Sequence, residues 1–201
     1  MNTRNSILVT LTIFLSLLSV NQSVIADTAV TYTSWFNLPI PADTTQTKGP
    51  MTDAVLNIPN HHIIKDINIA IDITHTKVFD LKIQIKSPAG TTVELNQYDL
   101  DDYFDGANYT ATIFDDQAST PIELATAPFT GRFRPKSPNL LSLFNGQDAF
   151  GQWNLQIHDN FFNDIGTLNT FGLMITIPEP ATSLLFIIGI SLSWAQNRRR
   201  K

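Results

Sequence analysis

The chain has 201 residues, 43% apolar and 15% charged, with a net charge of −5 and no cysteine. That leaves room for one domain with a real core plus terminal segments, and it excludes disulfides, thiolate metal sites and cysteine nucleophiles. Setting aside Arg4 and the four basic residues 198–201, the stretch from Asp27 to Pro180 holds 8 Lys and Arg against 18 Asp and Glu, a net of −10, which argues against nucleic acid and anionic lipid as partners.

Residues 1–26 begin with a short basic start and run through the apolar stretch Ile7–Val20 to small side chains at Val24 and Ala26. This order predicts a secretory signal peptide cut before Asp27. The apolar run is short of the roughly 20 residues that a membrane span needs, and Thr10, Thr12, Ser16 and Ser19 interrupt it.

From residue 27 onward the apolar period is 2. Residues 27–49 read as an N-terminal extension carrying a first strand around Thr31–Phe36, and Ala54–Ile58 reads as a second. Next, Ile67, Ile69, Ile71 and Ile73 alternate with Asn68, Ala70 and Asp72, and Leu81, Ile83 and Ile85 alternate with Lys82, Gln84 and Lys86. Thr92–Leu95, Ala111–Phe114, Trp153–Ile157 and Leu173–Ile177 complete the series. Each is a strand with one face inward. Turn chemistry separates them at Ser87-Pro88-Ala89-Gly90, Asp105-Gly106, Asn145-Gly146 and Asp164-Ile165-Gly166. Many short strands between turns predict an all-β, jelly-roll-like β-sandwich over residues 50–177. Asp116–Pro138, with four prolines, reads as a long ordered loop packed by Phe129 and Phe133.

The tail runs Pro178, Glu179, Pro180, Ala181, then an apolar helix over 181–195, then Arg198, Arg199, Arg200 and Lys201. The helix is short for a span, and the arginines would hold its end on the cytoplasmic side. This order resembles the PEP-CTERM sorting signal of exopolysaccharide-producing Gram-negative bacteria. The resemblance implies an exosortase-type enzyme as partner, transient membrane anchoring on the periplasmic side, and onward delivery to the envelope or extracellular matrix. A plain C-terminal anchor is the alternative.

The strand region carries a second resemblance. His75-Thr76, Asp80-Leu81 and Ser87-Pro88-Ala89-Gly90-Thr91, followed by Gly146, Gly151, Trp153, Leu155, Asp159, Asp164, Gly166 and Leu168, stand in the order of the proprotein convertase P domain (P/Homo B domain). The similarity covers roughly residues 50–177; Phe171 stands where the family commonly has tryptophan. It implies a non-catalytic module that normally follows a subtilisin-like serine protease domain.

The residues agree with that implication, since no Gly-x-Ser-x-Gly elbow or Gly-Thr-Ser turn occurs in the chain. Of the histidines His61, His62, His75 and His158, the pair His75 and Asp80 comes nearest to a catalytic arrangement. Its bland reading has His75 bonding the neighbouring loop and Asp80 capping a turn. His61-His62 falls in a loop after Pro59, where a metal role is the weaker reading.

The acidic signal is stronger. Asp99, Asp101, Asp102, Asp105, Asp115 and Asp116 fall in a segment without Lys or Arg, and Asp159 is a further candidate ligand. Carboxylates and carbonyls in loops suit calcium, although the EF-hand order is absent; a solvated acidic loop is the alternative. Some members of the resembled family bind calcium in loops. The expected function is therefore an exported binding or structural module, with an envelope protein, a protease or exopolysaccharide as partner and calcium as the one candidate cofactor. The alternative is an accessory domain of a subtilisin/kexin-like endopeptidase.

Overall fold

A computed structural model describes residues 27–40, 53–97, 106–161 and 164–178. Nine strands form two sheets. β1 (Thr28–Ile40), β9 (Gly166–Ile177), β3 (Asp66–His75), β6 (Tyr109–Phe114) and β7 (Phe129–Phe133) lie side by side in that order. β2 (Ala54–Ile58), β8 (Gly151–Asp159), β4 (Leu81–Lys86) and β5 (Thr92–Asn96) form the other sheet. With β7 set aside, the remaining eight strands have the interleaved order of a jelly roll, in which sequence neighbours other than β4 and β5 lie in different sheets.

The alternation read in the sequence is the packing itself. Ile67, Ile69, Ile71 and Ile73 are buried against Ile83, Ile85, Trp153, Leu155 and Ile157 of the facing sheet. Each such side chain withdrawn from water contributes about 1.5–3 kcal/mol before ordering costs are met. Trp153 is wholly buried, donates from Nε1 to the Ala149 carbonyl at 2.9 Å, and packs edge-on against Phe144 with ring centroids 5.0 Å apart. Phe171 is equally buried, 6.1 Å from Phe36, so the aromatic-for-aromatic exchange keeps the core filled.

The predicted strands are all present, and β1 and β9 are longer than their apolar patterns suggested. The segment Asp116–Pro138 is where the reading falls short. It contains β7, which pairs in parallel with β6 from Tyr109↔Phe129 to Phe114↔Phe133. Five residues with a central Gly131 and flanking prolines give no clean alternation, and β7 takes only the sheet edge, where such a strand is tolerated. Phe129 and Phe133 do pack on the core as expected.

The five-stranded sheet also carries a row of irregularities. The register shifts between Trp35 and Leu38 in β1, between Asp72 and Ile73 where β3 meets β9, and between Thr110 and Thr112 in β6. Extra residues in neighbouring strands thus line up across the sheet and crease it. Asn37 and Ala111 both have positive φ there, 50° and 47°. Left-handed backbone is strained for alanine and persists only where the surroundings impose it.

Candidate functional site

Three of the residues singled out in the sequence, His75, Asp80 and Asp159, gather at one end of the sandwich. β3 delivers His75, the short 3-10 turn Val78–Asp80 delivers Asp80, and β8 delivers Asp159 at its last position. His75 does not bond Asp80. Its Nε2 lies 3.2 Å from Asp159 Oδ2 with both side chains fully enclosed, and the Lys77 backbone N–H donates to its Nδ1 at 3.1 Å. That amide fixes the tautomer, leaving Nε2–H to donate to the carboxylate. Asp159 Oδ1 also accepts the Phe161 amide at 3.0 Å.

Gly166 closes the arrangement. A Cβ there would run into the His75 imidazole and the Thr74 carbonyl, so the register His75↔Gly166 requires glycine. On the loop outside, Thr76 Oγ1 donates to Asp164 at 2.6 Å.

Asp80 is the anomaly. Its backbone carbonyl accepts both the amide and the side chain of Asn160 at 2.9 Å. Among the described residues its carboxylate meets the Lys77 ammonium, at 3.5 Å, and its buried Oδ2 has no hydrogen-bond partner. Burial pushes the Asp80 pKa above its ordinary value; Asp159 and Asp164 add to the rise and Lys77 opposes it.

The remaining motif residues are architectural. Ser87 ties the β4–β5 turn by accepting the Thr91 amide at 3.2 Å and donating to Gln147 Oε1 at 2.9 Å. Its amide bonds the Thr91 carbonyl, and the Gly90 amide bonds the Ser87 carbonyl. Pro88 sits so close to Gly151 (φ 118°) that a Cβ there would meet it at 3.0 Å. His61 pairs with Asp148 at 2.6 Å and stacks on Phe150, while His62 bonds the Tyr32 hydroxyl at 3.0 Å. The two neighbouring histidines therefore serve different partners. His158 pairs with Lys82 across the smaller sheet.

The acidic residues divide. Asp115 binds Arg132 at 2.7 Å and the Gln117 amide at 2.8 Å, and Asp116 accepts the amides of Leu141 and Ser142 at 2.9 and 2.8 Å. Both follow the C-terminal end of β6. Asp159 bonds His75, whose own amide donates to Asn108 beside the N-terminal end of β6. Lying at opposite ends of one strand, these three cannot share a cation that needs six to eight oxygens. No group of three or more metal-suited side chains occurs among the described residues. Asp99, Asp101, Asp102 and Asp105 lie outside those residues, as do residues 1–26 and the sorting motif from Glu179 to Lys201.

A jelly roll with a His–Asp pair sealed inside defines the class, an all-β sandwich domain. The family is defined in turn by sequence, for the proprotein convertase P-domain model matches residues 64–175, and the chain belongs to that family. No curated protein matches it. Among solved structures, a chain in the complex of Aeromonas sobria serine protease with the chaperone ORF2 shares the fold, with a TM-score of 0.50 and 16% identity over 78% of this chain. This chain spans 28% of that one's length. The structure of the Aeromonas sobria serine protease itself gives a TM-score of 0.48 at 16% identity, covering 79% of this chain and 28% of the other. Among the described residues no helix is long and apolar enough to cross a membrane, and the apolar segment 181–195 lies outside them.

Proposed function

We propose that the protein is an exported, non-catalytic P-domain module, sorted to the cell envelope or extracellular matrix, which acts there by binding or by stabilising a partner. The observation that carries this reading is the enclosure of His75, the histidine of the family motif. His75 is enclosed with Asp159 and its second nitrogen is occupied by a backbone amide. His61 bonds Asp148 through Nδ1 and His62 bonds Tyr32, and the sequence offers neither of them a nucleophile turn. A hydrolytic base needs a free nitrogen facing a nucleophile. Incubation of the purified protein with a fluorophosphonate probe and a general peptide substrate tests this, and covalent labelling with peptide cleavage would overturn it.

Delivery rests on the residue order at the two ends. Mass spectrometry of the protein from envelope and medium tests it, with the mature chain expected to start at Asp27 and end near Pro180. An intact Lys201 would make the tail a plain anchor. Calcium binding, as proposed here, rests on Asp99, Asp101, Asp102 and Asp105. Millimolar calcium then raises the melting temperature reversibly, by mass action on the folded state, and identical curves with and without chelator would remove it.

A second reading draws on the family itself: an accessory domain serving a subtilisin/kexin-like serine endopeptidase encoded separately. Co-purification of such a protease with the native protein would favour it over independent binding.

A further inference from the structure

The outer face of the five-stranded sheet holds a second gathering of polar groups, unlike the first in being open. The crease formed by the aligned bulges is a groove of about 450 Å³ whose lining includes Trp35, Ala70, Asp72, Ala111, Asn169 and Thr170. That size lies within the range of about 300–1,000 Å³ seen for small-ligand sites. Trp35 is 83% exposed and pairs with Thr170 at the β1–β9 seam. Ala70 and Ala111, having short side chains, leave room beside it.

Asp72 is held rigidly in this crease. Oδ1 accepts Asn169 Nδ2 at 2.8 Å and Oδ2 accepts the amide of left-handed Ala111 at 3.2 Å. Asn169 Nδ2 also donates to Thr74 Oγ1 at 2.9 Å, so its carboxamide plane is fixed as well. An ionised carboxylate has roughly four lone-pair positions, so two remain for a ligand after these bonds. The strained bulges thus end in an aromatic plane and an oriented carboxylate–amide pair, an arrangement that core packing does not require because all three side chains are on the outer face.

We infer that this groove binds an uncharged pyranose oligosaccharide, an inference that rests on the reading of the chain as a binding module and names its ligand. A pyranose ring has an apolar C–H face that covers an indole and removes it from water. Its ring hydroxyls donate in pairs to a planar acceptor, and those given to the Asp72 carboxylate are charge-assisted; both Nδ2 protons of Asn169 are already committed to Asp72 and Thr74. Charge selects against acidic sugars, since among the described residues Asp72 is the only ionisable group lining the groove and the body of the chain is strongly acidic. An extended peptide would instead add along β1, the end strand of the sheet among the described residues, whereas the crease runs across the strands and presents side chains.

The test is calorimetric titration of the purified full-length protein with cellohexaose, maltohexaose and chitohexaose, with an alginate hexamer and an unstructured peptide as comparisons. At least one neutral hexamer binds and shifts tryptophan emission; Trp153 is buried, and retention of the shift in Trp194→Phe with its loss in Trp35→Ala assigns it to Trp35. Trp35→Ala weakens binding at least about tenfold, as expected for an aromatic anchor, while Trp35→Tyr retains most of it and neither variant changes the melting temperature. The inference is overturned if no neutral hexamer binds, if Trp35→Ala binds like the parent, or if only alginate or the peptide binds. Any of these leaves the non-catalytic module standing, which falls only to the probe and peptide-cleavage assay.

Discussion

The two polar clusters of this sandwich are built from similar residues and do opposite things. At the His75 end, an imidazole and a carboxylate are fully enclosed, and a glycine is required so that a strand can pass over the ring. On the creased face, a carboxylate and a carboxamide are held just as firmly, beside a tryptophan left in water. Burial decides between them. A polar group without solvent access must spend its hydrogen bonds on the protein, and those bonds then specify the fold. A polar group fixed at the surface keeps lone pairs for something else. A histidine next to an aspartate is therefore weak evidence of chemistry until its exposure is known.

The sharpest way to break the contrast is to cut the buried pair. Asp159→Ala leaves the His75 Nε2–H and the Phe161 amide without their acceptor in a dry site, and is expected to cost about 2–4 kcal/mol. Urea unfolding checks this as a lower midpoint at unchanged slope; a loss under about 0.5 kcal/mol, the range of ordinary surface changes, would mean that the pair is not structural. Gly166→Ala comes next. The methyl must displace the His75 ring or the Thr74 carbonyl, an overpacking cost of about 1–3 kcal/mol that thermal unfolding reads directly.

Asp80 offers a smaller, pH-dependent effect with a definite sign. Its folded pKa is raised above 3.8, first by burial and then by Asp159 and Asp164, net of Lys77. The fold therefore favours the protonated acid. Its contribution to stability is complete below 3.8 and is lost as pH rises through the raised folded value. Asp80→Asn, which imitates the protonated group, should match the parent at low pH and gain on it toward neutrality. Stability curves that stay parallel from acid to neutral pH would show that the orphaned oxygen carries no strain.

Much of the fold was legible because period-2 alternation and turn residues are local signals, and the eight strands read from them are all in the sandwich. β7 was hidden because its existence depends on a parallel partner in β6 and not on its own pattern. The His75–Asp159 bond was hidden for a related reason, as its members are 84 positions apart and His75 has the nearer Asp80 as a decoy. Trp35, Asp72 and Asn169 gave no joint signal at all. They meet only because β1, β3 and β9 are neighbours, and because bulges, which leave little trace in composition, turn their side chains to one place.

The smallest expected effect bears most directly on the comparison. Trp35→Ala removes the largest exposed side chain of the creased sheet, yet little of it is in contact with the protein. Surface substitutions away from caps, turns and networks stay within about ±0.5 kcal/mol, and the removal of exposed indole is expected to do the same. Chemical unfolding of the variant measures this. A loss of several kcal/mol would show that the indole braces the bulges, placing the crease with the buried pair as part of the fold. An unchanged midpoint means the protein maintains strained backbone at Ala111 beside a side chain that contributes nothing to its stability. Strain that stability does not explain is what the sugar-binding groove inferred above would account for.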